Sequence, residues 1–392
     1  MIYLDSNATT RVHPDVLEAM LPYLTDQCYN PSSGYRAGKA VKKALEQARE
    51  QVAQLIGAEA DEIVFTGCGT ESNNAALYSL AEAVGKGKRI ITSQIEHSSI
   101  LRTCEVLEKR GYTIERVAVG ADGRLDLAAW KEAVEQEDAG FATLMWANNE
   151  TGVIQPVLEA AAMARAAGVP FHSDAIQAVG KCPVDVRAVE ADFLSISGHK
   201  FHAPKGVGAL YIRKNVSFEP LLFGGGQESG RRSGTENVAS IVGLGKAAEM
   251  MRVRLEADGH AGVGALRDHF EQRLLAEVHG VQVNGSQEFR TKNTSHLAFE
   301  DCEAAGLLIL LDEYGMACSA GSACMTGKQK PSHVQTAMGI PAKQAKSSLR
   351  ISFSILTTRE ETDAAVEMVK KAVRKLRAVQ GIGGVGPVTV YT

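Results

Sequence analysis

Two hydrophobic periods alternate through the first part of the chain. In "GKAVKKALEQAREQVAQLIGA" the apolar residues Val41, Ala44, Leu45, Ala48, Val52, Leu55 and Ile56 recur every three or four positions. That spacing predicts one amphipathic helix with a single buried stripe. Short β-rich runs follow, separated by alanine-rich helical stretches such as 157–167: "EIVFT", "RIITSQ", "TIERVAV", "FATLMWANNE", "VPFHSDA", "DFLSISG" and "VGALYIR". Short apolar strands alternating with helices predict a largely parallel sheet of about seven strands, covered by helices on both faces. After about residue 255 the rhythm stops. "VRLEADGHAGVGALRDHFEQRLLAEV" is mostly helical, and the remainder mixes strands and helices, as a smaller α+β domain would.

The expected organisation is therefore a large domain over 14–256 and a small one made of 1–13 and 257–380. Within the small one a loop poor in bulky residues spans about 316–332, and a Gly-rich, flexible tail covers 381–392.

Charge narrows the partners. Lys plus Arg is 42 against 46 Asp plus Glu, a net charge of −4, which gives no electrostatic reason to expect nucleic acid. No apolar run approaches the ~18 residues of a membrane span. "MIYLDSNATT" lacks the basic and apolar blocks of a secretory signal, so a cytoplasmic location is expected. The cysteines Cys28, Cys68, Cys104, Cys182, Cys302, Cys318 and Cys324 are dispersed and form no CxxC. Neither a disulfide framework nor a metal site is expected from them.

The chemistry gathers at predicted strand ends, where open α/β sheets bind their ligands. "TGCGTES" places Gly67, Gly69 and Thr70 just before a helix, a start that suits a phosphate, although such a turn alone is often only a turn. His97 follows the next strand, and a lone histidine is more often structural. Asn148, Asn149 and Glu150 close "FATLMWANNE", and buried amides there need partners. Asp174 ends "VPFHSD", with Gln177 three residues on. In "SISGHKFHAPKG", Lys200 sits between His199 and His202 in a turn between two strands.

Singly, each has a bland reading as a cap, a turn or a surface ion pair. Together, an acid ending one strand and a lysine ending the next suit pyridoxal phosphate. The lysine amine forms a Schiff base with its aldehyde, and the acid keeps the ring nitrogen protonated.

With these motifs in place, the sequence resembles the NifS/IscS cysteine desulfurases of the class V aminotransferase group, fold type I enzymes that use pyridoxal phosphate. The likeness runs through "YLDSNATT", "NPSS", "CGTES", "MWANNETG", "SDAIQAVGK", "SGHKFHAPKGVGALY", "RRSGTENVASIVGLG", "GSAC" and "LRISFS". It implies Lys200 as the Schiff-base lysine, His97 as the ring-stacking residue, and Asp174 at the ring nitrogen. Gln177 and Asn149 would approach the ring oxygen and the substrate. Gly69, Thr70, Ser197 and His199 would bind the phosphate, together with Thr235 reaching in from the other subunit of a homodimer. Arg350 would take the carboxylate of L-cysteine, with Asn30 nearby. Cys324 would be the nucleophile that receives sulfur as a persulfide and passes it to an iron–sulfur scaffold or another acceptor protein, with at most a transient cluster contact through Cys324.

An unperturbed thiol with pKa of about 8.5 is only about 3% ionised at pH 7, so the nucleophile needs help. The small residues of "CSAGSACMTG" are what a swinging arm needs, and Cys318, in the same run, is expected at a strand end. The chain departs from the family's usual wording in "NPSSGYRAG", "MTGKQKPSH" and "SFSILTT". Selenocysteine lyase, a Cβ–S lyase without a protein nucleophile, and a silent sulfur-relay scaffold are the competing readings. Alanine plus sulfur, against pyruvate plus ammonia, separates desulfurase from lyase.

Overall fold

The structure is a computed structural model that describes residues 1–320 and 331–381. Its strands are β1 (Ile2–Tyr3), β2 (Ile63–Thr66), β3 (Arg89–Ser93), β4 (Thr113–Val117), β5 (Ala139–Met145), β6 (Phe171–Asp174) and β7 (Phe193–Ser197), followed by β8 (Gly208–Ile212), β9 (Val281–Val283), β10 (Thr294–Phe299), β11 (Met316–Ala317), β12 (Ser319–Ala320) and β13 (Ser348–Ser352). A seven-stranded sheet has the order β2-β8-β7-β6-β5-β3-β4. All its pairings are parallel except those of β8, which runs antiparallel to both β2 and β7.

Alternate side chains of each strand enter opposite cores, because the strand period is two. Ala142 and Leu194 face one apolar cluster with Trp130 and Phe171, while Phe141 and Phe193 face another with Leu77 and Ile100. Both faces are covered, which is why these strands read as continuous apolar runs. The predicted stripe forms the helix Arg36–Ile56, with Val41, Leu45, Ala48, Val52, Leu55 and Ile56 buried and Ala44 half-buried. It lies against the helix Val238–Asp258 so closely that a Cβ on Gly245 would meet the Ala48 Cα at 2.5 Å.

A second core holds Leu4, Phe270, Phe299, Leu307, Ile351 and Phe353 around the antiparallel order β12-β13-β10-β9. The N-terminal segment stitches it to the first. β1 pairs in parallel with β11, and the Ser6 amide donates to the Ser352 carbonyl at 3.1 Å. Four residues later the Thr10 amide donates to the His199 carbonyl at 2.8 Å. Residues 5–10 thus pass directly behind Lys200. Cys318 lies between the two short strands β11 and β12. Cys324 and the remainder of "GSACMTGKQK" lie outside the described residues, as do 382–392.

Candidate active site

The parallel register sets the floor of the site. Met145 is level with Asp174, and Asp174 with Ser195, so β5, β6 and β7 end side by side. A cavity of about 350 Å³ opens beyond these ends, lined by Gly69, Thr70, His97, Asn149, Asp174, Gln177, Ser197, His199, Lys200 and Arg350, with Asn7 and Ala8 from the N-terminal segment. Ten of the residues expected from the sequence therefore share one wall-to-wall space. Two do not. Asn30 is exposed and its Oδ1 accepts from the Ser32 amide at 2.8 Å, a local turn outside this cavity. Thr235 is exposed in the segment before the helix Val238–Asp258 and does not line the cavity.

Lys200 ends a single turn after β7. Its amine donates to the carbonyls of Asn7 at 2.7 Å and Ala8 at 2.8 Å. Burial, then the nearby Arg350 cation, lower its pKa to about 8. About a tenth is therefore the neutral, nucleophilic amine at pH 7, far more than for an ordinary lysine.

Asp174 is buried in the lining of the same cavity. Its Oδ2 accepts from Asn73 Nδ2 at 2.8 Å and its Oδ1 from the Ile176 amide at 3.0 Å. Burial raises this carboxyl above its usual range, opposed by His97, so it favours a cationic N–H partner in the cavity. His97 sits at the rim, and its Nδ1 accepts from the Ser99 amide at 3.2 Å, capping the helix Ser98–Lys109. Desolvation by the cavity walls pulls its imidazole below the ordinary range, although the ring keeps a solvent-facing side. His199 is pushed down to about 4 by burial and then by Lys200, so it enters the site as a neutral ring.

The helix Gly69–Val84 begins at the cavity lining with no side-chain cap, which leaves its first N–H groups open to the cavity. A Cβ at Gly69 would meet Ile176 Cδ1 at 2.3 Å and Ser197 Cβ at 3.0 Å, so only glycine lets this helix start press against the ends of β6 and β7. An uncapped helix N-terminus, a buried carboxylate and an amine lining one cavity fit a flat anionic aldehyde with a basic ring nitrogen.

Arg350, on β13, brings the second core into the cavity. Its Nη2 donates to Asp5 Oδ1 at 2.8 Å and its Nη1 to the Asn149 carbonyl at 2.9 Å, while its buried Nε has no partner. Among the described residues, three of its five N–H donors have no partner and suit the demand of a carboxylate.

Several participants carry no signal at a strand end. Asn7 is a hub: its backbone oxygen accepts from Lys200 and from Gln177 Nε2, and its Oδ1 from Lys181 and Asn293. Asn73 holds Asp174, and Asp5 holds Arg350. The buried Glu96 accepts from Ser93 Oγ at 2.6 Å and from the Met145 amide at 2.9 Å, just before His97. The polar run "DSNATT" inside an otherwise apolar-anchored N-terminus was the one available hint.

Comparison with known proteins agrees with this geometry. The model of the aminotransferase class-V family matches residues 2–365. A cysteine desulfurase from Nostoc sp. is 47% identical over 379 residues, covering 97% of this chain and 94% of that one. The cysteine desulfurase NifS of Azotobacter vinelandii is 46% identical over 389 residues, covering 99% and 96%. Among solved structures, a NifS-like protein superposes with a TM-score of 0.88 at 36% identity, over 96% of this chain and 99% of that one. SspA in complex with cysteine gives 0.80 at 36% identity, over 90% and 99%. The chain belongs to the aminotransferase class-V family and, within it, to the NifS-like cysteine desulfurases.

Proposed function

We propose that the chain converts L-cysteine to L-alanine with pyridoxal phosphate as cofactor, and that Cys324 takes the sulfur. The observation that carries this is the single cavity holding the lowered-pKa amine of Lys200, the buried Asp174 carboxyl and the open helix start at Gly69 and Thr70. Pyridoxal phosphate, when bound, supplies an electron sink that stabilises negative charge on the substrate's Cα. Lys200 would hold its aldehyde carbon and Asp174 its ring N–H, with His97 stacked on the ring face. Gln177 would face the ring oxygen, and the phosphate would rest on Gly69, Thr70, Ser197 and His199.

The rest belongs to the chain's own groups. The free N–H donors of Arg350, with Asn149 beside it, orient the substrate carboxylate. The Lys200 amine would move the Cα proton of the bound substrate. Cys324 attacks the substrate sulfur as a thiolate: the carbon–sulfur bond breaks, a sulfur–sulfur bond forms, and the carbon takes up a proton to become the methyl of alanine. The persulfide then passes to an acceptor protein such as an iron–sulfur scaffold. Residues 14–256 form the cofactor-binding unit in this reading, and 1–13 with 257–380 the unit that carries Cys324.

A homodimer completes the site, with Thr235 contributed by the partner. The segment before Thr235 carries Phe223, 84% exposed, and the helix Pro14–Leu24 exposes Leu17, Leu21 and Leu24. Such an apolar surface favours a second copy as its cover. The six described cysteines are all free thiols, which suits a reducing cytoplasm.

Two variants test the assignment. Cys324→Ala should bind the cofactor with the wild-type absorbance yet lose persulfide and alanine turnover; normal desulfuration by it would sink the role of Cys324. Lys200→Ala should lose the lysine-linked absorbance and all turnover. Pyruvate and ammonia from the wild type, in place of alanine, would assign a Cβ–S lyase instead.

A further inference from the structure

Lys181 has no place in the reaction described above. It follows "SDAIQAVG", is buried at 8% exposure, and touches no carboxylate among the described residues. Its Nζ donates to Asn7 Oδ1 at 3.0 Å and to Gln177 Oε1, four residues earlier in the same turn. The groups facing it are the cations Lys200 and Arg350, the Cys182 thiol beside it, and the rings of His199, His202 and His260, with Lys292 lining the same small pocket. Burial first, and those cations next, hold its amine well below the usual lysine range.

Two acceptors, Asn7 Oδ1 and Gln177 Oε1, hold its N–H donors. Because Lys181 occupies Gln177 Oε1, the amide has one orientation. Its Nε2 gives one hydrogen to the Asn7 carbonyl at 3.0 Å and keeps the other for the cavity that Gln177 lines. Without Lys181 the Gln177 oxygen loses that donor, and only the single hydrogen bond of Nε2 to the Asn7 carbonyl opposes a turn of the amide that faces its oxygen to the cavity. An acceptor would then stand where a donor had been.

We propose that Lys181 is a positioning residue that locks the Gln177 amide with its N–H toward the bound cofactor and thereby sets the cofactor's proton affinity. The inference rests on the pyridoxal phosphate reading, with Gln177 at the ring oxygen. A donor there stabilises the deprotonated ring oxygen; losing it makes the chromophore hold its proton more tightly.

The test is a spectrophotometric pH titration of protein reconstituted with pyridoxal phosphate, for wild type, Lys181→Met, Gln177→Leu and the double variant. Lys181→Met should raise the titration midpoint by about one pH unit, the size of one buried hydrogen bond. Gln177→Leu should raise it similarly, and the double variant should shift no further than either alone. Lys181→Gln, which retains two donors, should restore part of the shift. An unchanged midpoint in Lys181→Met, or shifts that add in the double variant, overturns the role of Lys181 and leaves the desulfurase assignment standing. A wild type that acquires no chromophore overturns the cofactor reading and this inference with it. Should Lys181→Met not fold, Lys181→Leu is judged by the same criterion, with thermal unfolding of the cofactor-free chains as the control for stability.

Discussion

Single residues here act through whether burial leaves them a partner. Glu96 is fully buried, and one of its carboxylate oxygens has no hydrogen-bond donor among the described residues; burial raises its pKa to about 8. The folded state therefore binds a proton that the unfolded chain releases near its ordinary value of 4.5. The sign follows from linkage: the stabilisation is complete below that ordinary value and is lost as pH rises through about 8. Glu96→Gln carries no such proton. We expect its stability relative to wild type to increase between about pH 5 and pH 9, by on the order of 1–3 kcal/mol. Denaturant titrations at several pH values measure this, and parallel pH profiles for the two proteins would refute it. Lys200 has the opposite charge logic. Its amine is the reactive form, so cofactor capture by the empty chain should speed up with pH and level off above about 8. Stopped-flow absorbance checks that profile.

At the scale of elements, close approach decides function more than propensity does. The helix Gly69–Val84 has a weak start by capping rules, because Cys68 stands at its N-cap without a side-chain hydrogen bond. What a cap would have occupied is left open for an anion. We expect Gly69→Ala to weaken binding of pyridoxal phosphate about tenfold, since its Cβ must displace Ile176 or the helix start. Ile176→Ala in the same chain should recover part of that loss, read by equilibrium fluorescence; no recovery would mean that backbone strain, not the Ile176 contact, is responsible. The buried pair Arg49–Glu228 does comparable work for the segment before Thr235. Arg49 Nη1 and Nη2 meet the two Glu228 oxygens at 2.7 and 2.8 Å, and the Phe65 amide donates to the same carboxylate at 2.8 Å. That clamp ties the base of an exposed, glycine-rich segment to β2.

At the scale of the molecule, the site exists only where the two cores meet. β5, β6 and β7 supply the acid and the lysine; the N-terminal segment and β13 supply Asn7, Asp5 and Arg350. In the proposed homodimer, the exposed apolar side chains at Phe223 and along Pro14–Leu24 would extend the same dependence to a second copy. We expect Phe223→Glu to shift the protein toward monomer in sedimentation velocity and to lower activity in step with the monomer fraction. A monomer with full activity would refute the completed-site reading.

The sheet, the helix stripe and the strand-end chemistry were legible in the chain because each is a local pattern. Period two or three-and-a-half in apolar residues marks an element, and a polar residue that ends an apolar strand must face a ligand or a partner. Lys200, Asp174, His97 and Gly69 were singled out that way and Arg350 through the resemblance carried by "LRISFS", and all five line one cavity. Asn7, Asn73, Asp5 and Lys181 were not, because their roles rest on contacts with residues that only folding brings near. Asn7 meets Lys200 across 193 positions of sequence and Asp5 meets Arg350 across 345. The sequence by itself determined which side chains are candidates for the chemistry, since reactive residue types stand out at strand ends and in motifs. The tertiary structure alone decided how they are held and at what pKa, since burial and hydrogen-bond partners are properties of the packed molecule.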